Sequence, residues 1–164
     1  VTATAAVITL SDRGAAGLRE DGSGPLLAGR LTALGFSVAV TELLPDDPST
    51  LATRLRHLCD SGKIALVATT GGTGLTPRDN TAAGIADVAD FELPAIAERL
   101  LVSGLTHTPR AALSRSAGHL RGETLIVSLP GSPKAVAEGV DALEPFLAAL
   151  LRFHATGGLP CTEP

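Results

Sequence analysis

Two hydrophobic periods alternate along this chain, and that alternation constrains its fold more than any other feature. Residues 5–10 form a short, nearly continuous apolar run closed by Ser11-Asp12, the pattern of a strand buried on both faces. Leu27, Leu31 and Leu34 follow at helical spacing, with Gly35 where a C-cap belongs. Residues 36–44 read as a strand stopped by Pro45-Asp46-Asp47. Asp47-Pro48 then makes an N-cap and first-turn pair ahead of the stripe Leu51, Leu55, Leu58. Residues 64–68 are the clearest buried strand and run into Thr69-Thr70-Gly71-Gly72-Thr73-Gly74. Helices are expected over 81–88 and 93–102, the second with Gly104 past its end, while 109–115 fits neither period. Residues 124–129 form another strand, followed by Pro130-Gly131-Ser132-Pro133 and a helix with Val136, Val140, Leu143 and Leu147 on one face. Glu144-Pro145 is expected to break or kink that helix, and residues 156–164 read as a loose, Gly/Pro-rich tail.

Strand alternating with helix predicts an α/β fold: three layers, a mainly parallel sheet with helices on both faces. The 164 residues fit a single domain, 1–164, without repeat or linker. A domain of this length buries roughly 70% of its unfolded surface, and 45% hydrophobic residues supply the core. The longest apolar run, residues 146–151, is far too short to span a membrane, and no secretory leader pattern opens the chain. A net charge of −4 argues against a phosphate-backbone binder. Four Phe with no Trp or Tyr leave almost no stacking platform for single-stranded nucleic acid. Cys59 and Cys161 form no CxxC and have no zinc-type His spacing, so they read as unpaired thiols in a reducing, cytoplasmic setting.

In such folds ligands bind at the carboxyl ends of the strands. Here those ends carry Ser11-Asp12, Pro45-Asp46-Asp47, residues 71–79, and Gly131-Ser132-Pro133-Lys134. The strongest segment is Thr70 through Thr81, TGGTGLTPRDNT. Three glycines in four positions let successive N–H groups face an anion, which side chains would obstruct. Arg78 adds positive charge, and Asp79 is placed to hold a cation on phosphates; the bland alternative is a turn that merely leaves a strand. The motif is not a P-loop, since neither Lys63 nor Lys134 has the required context, nor a Rossmann GxGxxG, where Pro77 takes the third position. No GxSxG elbow is present. Ser11 and Asp12 are also ordinary strand-end residues, and only their place beside the glycines raises them. Asp47 is a credible cap, which leaves Asp46 for metal or acid–base work. The four histidines show no ligand spacing.

Ser11-Asp12-Arg13 with Asp21-Gly22-Ser23-Gly24-Pro25, then Pro45-Asp46-Asp47, Gly71-Gly72-Thr73-Gly74 to Arg78-Asp79, Ser114-Arg115, and Leu129-Pro130-Gly131-Ser132-Pro133 together resemble the molybdopterin adenylyltransferase (MogA/MoaB) family. Order and spacing agree over residues 5–147. The resemblance implies a molybdopterin-binding-domain fold and adenylyl transfer from ATP to molybdopterin, with Mg²⁺, releasing pyrophosphate during molybdenum cofactor synthesis. It implies that Asp46 and Asp79 are the catalytic and metal-binding pair. By the same likeness Gly71, Gly72, Thr73 and Gly74 bind phosphate, while Ser11, Asp12, Ser114, Arg115, Gly131, Ser132 and Pro133 surround the nucleotide and pterin. It further implies a homotrimer and a downstream molybdenum-insertion partner. Asn80 and Ser132 depart from the family pattern without touching the acidic pair.

The charges agree with that chemistry. Arg13, Arg78, Arg115 and Lys134 are few cations for a triphosphate beside two aspartates, and Mg²⁺ favours one or two carboxylates plus phosphate oxygens. The competing readings are a non-catalytic pterin- or nucleotide-binding module of the same fold, and a subunit important for assembly.

Overall fold

The computed structural model describes residues 3–156. The expected tail beyond Thr156, and Cys161 with it, lie outside the described residues.

Six strands form one sheet, β1 (Thr4–Leu10), β2 (Ser37–Leu44), β3 (Leu66–Thr70), β4 (Phe91–Glu92), β5 (Gly118–Arg121) and β6 (Thr124–Leu129), in the order β2-β1-β3-β6-β5-β4. The four strands β2, β1, β3 and β6 are parallel, whereas β5 runs antiparallel to β6 and β4 antiparallel to β5. The helices are α1 (Asp12–Ala15), α2 (Ser23–Leu34), α3 (Pro48–Asp60), α4 (Thr81–Ala86), α5 (Pro94–His107) and α6 (Pro133–Thr156), with a 3₁₀ turn over Pro109–Leu113.

The pleat sorts the core into two halves. Val7, Leu66, Ala68, Val127 and Leu129 face Leu27 and Leu31 of α2, Ile96 of α5 and Val136, Val140, Leu143 and Leu147 of α6. Ile8, Leu10, Val67 and Ile126 on the opposite face meet Leu51, Leu55 and Leu58 of α3 and Ile85 of α4. Helices therefore cover both faces, the three-layer arrangement expected from the alternation. Among the described residues no helix is long and apolar enough to cross a membrane.

Several boundaries differ from the sequence expectation. β3 lies two residues later than 64–68, because Thr69 and Thr70 continue the ladder, Thr70 opposite Thr9, and both are fully buried. α5 does not stop before Gly104 but runs to His107. A Cβ at Gly104 would sit 2.7 Å from the Ala111 Cβ, so this glycine lets the 3₁₀ turn pack on the helix rather than ending it. α4 ends at Ala86, two residues early. Pro145 does not break α6. It lies on the exposed side between buried Leu143 and Leu147, so the missing N–H bond costs less than those contacts contribute. The short β4 and β5 carry no period that sequence could reveal.

Candidate active site

The carboxyl ends of four adjacent parallel strands bring their loops together at one edge of the sheet. Ser11 leaves β1 and donates its N–H to the Leu44 carbonyl of β2 at 2.9 Å, while its Oγ accepts the Gly14 N–H and caps α1. The two aspartates that follow β1 and β2 lock each other. The Asp12 N–H donates to Asp46 Oδ2 at 2.8 Å, and the Asp46 N–H donates to Asp12 Oδ1 at 3.0 Å. Asp47 accepts the Thr50 N–H at 2.7 Å and caps α3, as its pairing with Pro48 suggested. Asp46 has no capping duty, and no described residue donates to its Oδ1.

The glycine loop is pressed against its neighbours. Gly71 has φ +97°, and a Cβ there would lie 2.3 Å from the Leu10 carbonyl oxygen. Gly72 has φ +64°, and its Cβ would meet Thr81 Oγ1 at 2.4 Å and Asp46 Oδ1 at 3.3 Å. Only glycine allows both backbone conformations and this approach. Thr81, which the sequence reading placed in a helix without a role, donates Oγ1 to the Gly71 carbonyl at 2.8 Å and its N–H to the Gly72 carbonyl at 3.2 Å. Its signal was its place at the end of the TPRDNT segment.

Asp79 points back into its own loop. Its Oδ2 accepts the Thr76 hydroxyl at 2.6 Å and the Thr76 N–H at 2.8 Å. Arg115 braces the loop from outside, with Nε on the Gly74 carbonyl at 2.9 Å, a further nitrogen on the Asp79 carbonyl, and its own N–H on the Thr73 carbonyl. Ser114 Oγ lies 2.9 Å from Ser116 Oγ. Gly131 closes on the loop from β6, where a Cβ would be 3.1 Å from Gly71 Cα. Ser132 Oγ accepts the Ala135 N–H at the head of α6, and Pro133 begins that helix.

Charge is distributed unevenly. Burial, together with the like charges of Asp12 and Asp79, raises the Asp46 carboxyl above its ordinary value despite the Asp12 N–H and the nearby Arg78. The Arg78 guanidinium holds Asp12 below the usual range, and the Thr76 hydroxyl does so for Asp79. Asp21 is also lowered. Its burial opposes this, but donors from Gly24, Thr9 and Ser23 outweigh it, pinning the start of α2 to the end of β1.

A cavity of about 960 Å³ opens on the other side of Gly131. α5, the 3₁₀ turn and the head of α6 wall it, and Ser114, Gly131 and Ser132 belong to its lining. Asp46, Asp79 and Gly71 to Gly74 lie outside that lining. The residues selected from sequence thus form two adjoining regions, an acidic, glycine-floored edge and a largely apolar hollow, which meet where Gly131 packs on Gly71.

Residues 6–149 match the family described as "Probable molybdopterin binding domain". The chain is 37% identical over 141 residues to the molybdopterin adenylyltransferase of Haemophilus influenzae, covering 84% of this chain and 71% of that protein. It is 40% identical over 143 residues to a molybdenum cofactor biosynthesis bifunctional protein of Synechococcus elongatus, covering 87% of this chain but 44% of that relative, so it spans less than half of the longer protein. Among solved structures, the molybdopterin biosynthesis enzyme MoaB of Thermus thermophilus superposes with a TM-score of 0.84 at 38% identity, covering 92% of this chain and 98% of that one. A match over most of the chain, agreeing with the strand-end loops and their spacing, leads to one conclusion: this chain belongs to the molybdopterin-binding-domain family that includes the MogA- and MoaB-type molybdopterin adenylyltransferases.

Proposed function

We propose that this protein transfers the adenylyl group of ATP to molybdopterin, releasing pyrophosphate, as a step of molybdenum cofactor synthesis. The observation that carries the reading is the junction of the two regions: a glycine-floored edge beside Asp46 meets, where Gly131 packs on Gly71, a hollow large enough for a pterin. In this reading Gly72 and Thr73 present N–H groups to the nucleotide's phosphates, with Ser11 and Asp12 bordering them. Contrary to the sequence expectation, the Gly71 N–H is already donated to the Leu129 carbonyl at 3.1 Å and the Gly74 N–H to the Asp79 carboxylate, so those two glycines shape the loop. Ser114, Gly131, Ser132 and Pro133 line the way to the pterin, and Arg115 keeps the glycine loop in shape. Holding the acceptor phosphate oxygen against the α-phosphate is the main task, because adenylyl transfer depends on in-line positioning and charge stabilisation.

The donor set also suits Mg²⁺. Asp46 Oδ1 accepts no hydrogen bond from any described residue, its carboxylate stands beside two others, and all candidate ligands are oxygens. Asp46 and Asp79 would hold the ion; when bound, it supplies positive charge against the triphosphate. Asp79 would contribute as a carboxylate already oriented by the Thr76 donors on its Oδ2.

A homotrimer, a downstream molybdenum-insertion partner and a cytoplasmic setting belong to the same proposal. Leu101, Val102, Leu105 and Leu113 are exposed apolar residues of α5 and the 3₁₀ turn, enough to seed an interface. Incubation with ATP, Mg²⁺ and molybdopterin, followed by pyrophosphate release, tests the reaction. Pyrophosphate that appears only when all three are present supports it. Binding of both substrates without pyrophosphate would favour the non-catalytic module.

A further inference from the structure

The loop that leaves β3 carries one cation, Arg78, and its hydrogen bonds differ in kind from those of Arg115. Arg115 directs its guanidinium at two backbone carbonyls and so braces the loop. Arg78 directs Nε, at 2.8 Å, and Nη2 at a single side-chain oxygen, Asp12 Oδ2. Its side chain is 65% exposed and its charge faces Asp12, Asp46 and Asp47. With Asp79 included, four carboxylates stand at this edge, and of the guanidiniums hydrogen-bonded there only Arg78 bonds one of those carboxylates.

We infer that Arg78 is a binding residue for the nucleotide's phosphates and that Asp12 is its partner only until they arrive, the two anions competing for one guanidinium fork. Carboxylate and phosphate are taken by that fork in the same geometry. An exposed pair is weakly held, and a polyphosphate carries more charge than the carboxylate it displaces. The exchange leaves Asp12 Oδ1 on the Asp46 N–H, so Asp46 keeps its place while the adjoining charge is rearranged. This inference rests on the nucleotide-binding part of the proposed function, but not on molybdopterin.

The test is calorimetric titration with ATP in the presence of EDTA, so that no metal contributes, and with adenosine as a probe lacking phosphate. Arg78→Gln is expected to weaken ATP binding by about tenfold while leaving adenosine unchanged. Arg78→Lys, which keeps charge without the fork, should fall between parent and Arg78→Gln. Asp12→Asn should tighten ATP binding several-fold, and the gain should disappear in the Asp12→Asn, Arg78→Gln double variant. An Arg78→Gln protein that binds ATP like the parent overturns the inference. So does one that loses ATP and adenosine together, since Arg78 would then only shape the loop. An equal Asp12→Asn gain in both backgrounds also overturns it, because relief of repulsion would suffice. A parent that binds no nucleotide overturns the proposed function and this inference with it.

Discussion

Replacing Gly72 with Ala tests whether the glycine floor is held by the contacts described above. At φ +64° an alanine is strained by about 1–2 kcal/mol. Its Cβ would also stand 2.4 Å from Thr81 Oγ1, so that hydroxyl must leave the Gly71 carbonyl. Gly71 is buried, and an unpaired buried carbonyl costs about 1–3 kcal/mol. The sum, about 2–5 kcal/mol, is less than the stability of many domains, and at this size it lowers Tm by about 5–20 °C. Scanning calorimetry of Gly72→Ala, Thr81→Ala and the double variant separates the terms. Both single changes remove the same hydrogen bond, so the double variant should cost less than the sum of the singles by about 1 kcal/mol or more. Additive losses would refute the reasoning, because the added methyl would then not be meeting Thr81. Gly71 is less forgiving, since any side chain there meets the Leu10 carbonyl rather than a movable hydroxyl.

Asp46→Asn should raise Tm at neutral pH, because the Asp46 carboxyl is held above its ordinary value. Ionising it opposes folding once pH exceeds the unfolded value of 3.8, and the advantage of Asn should fade as pH falls toward that value; a Tm loss at pH 7 would contradict this. Asp12, Asp21 and Asp79 have the opposite sign, so their contribution is present above 3.8 and lost as pH falls below it, and denaturant titrations from pH 6 to pH 2 should show that loss. Pro145→Ala should stabilise α6 by about 1–3 kcal/mol, readable as a higher denaturation midpoint, and an unchanged midpoint would mean that the helix already accommodates the ring. Burial pushes the Cys59 thiol up to about 11, so native protein should resist alkylation at that residue near pH 8, and rapid labelling located there by peptide mapping would count against it.

The parts of this fold legible in the sequence are those where burial dictates composition. β1 and β6 lie between helical layers and read as apolar runs, while Leu51, Leu55 and Leu58 mark the one face of α3 that meets the sheet. β2 is an edge strand with alternating exposure, still recognisable by its length and its Pro45 stop. The parts that were not legible depend on partners distant in sequence. β4 and β5 are defined by pairing, Phe91 with Leu120 and Gly118 with Val127, and too few residues take part to create a period. Gly104 read as a helix end because its real partner, Ala111, is visible only in three dimensions. In the site, Asp46 stood out once Asp47 was recognised as the cap. The hydrogen bonds that commit Asp79 Oδ2 to Thr76, and Arg115 to carbonyls, could not be anticipated from spacing. The hollow beyond Gly131 was equally hidden, since α5, the 3₁₀ turn and α6 form it from residues that each look like ordinary helix surface.

The central claim is that Asp46 and Asp79 serve metal-assisted adenylyl transfer rather than the fold. Its most direct measurement is pyrophosphate release from ATP and molybdopterin by Asp46→Asn and Asp79→Asn, beside molybdopterin binding by the same proteins. Each change keeps side-chain size and removes one charge. Turnover should fall by orders of magnitude while molybdopterin binding changes far less, and higher Mg²⁺ should restore part of the Asp79→Asn loss. Asp47→Asn, at the α3 cap, should stay near the parent because Asn caps about as well as Asp. Parent-like turnover in both Asp46→Asn and Asp79→Asn would contradict the account and leave the acidic pair as structure alone.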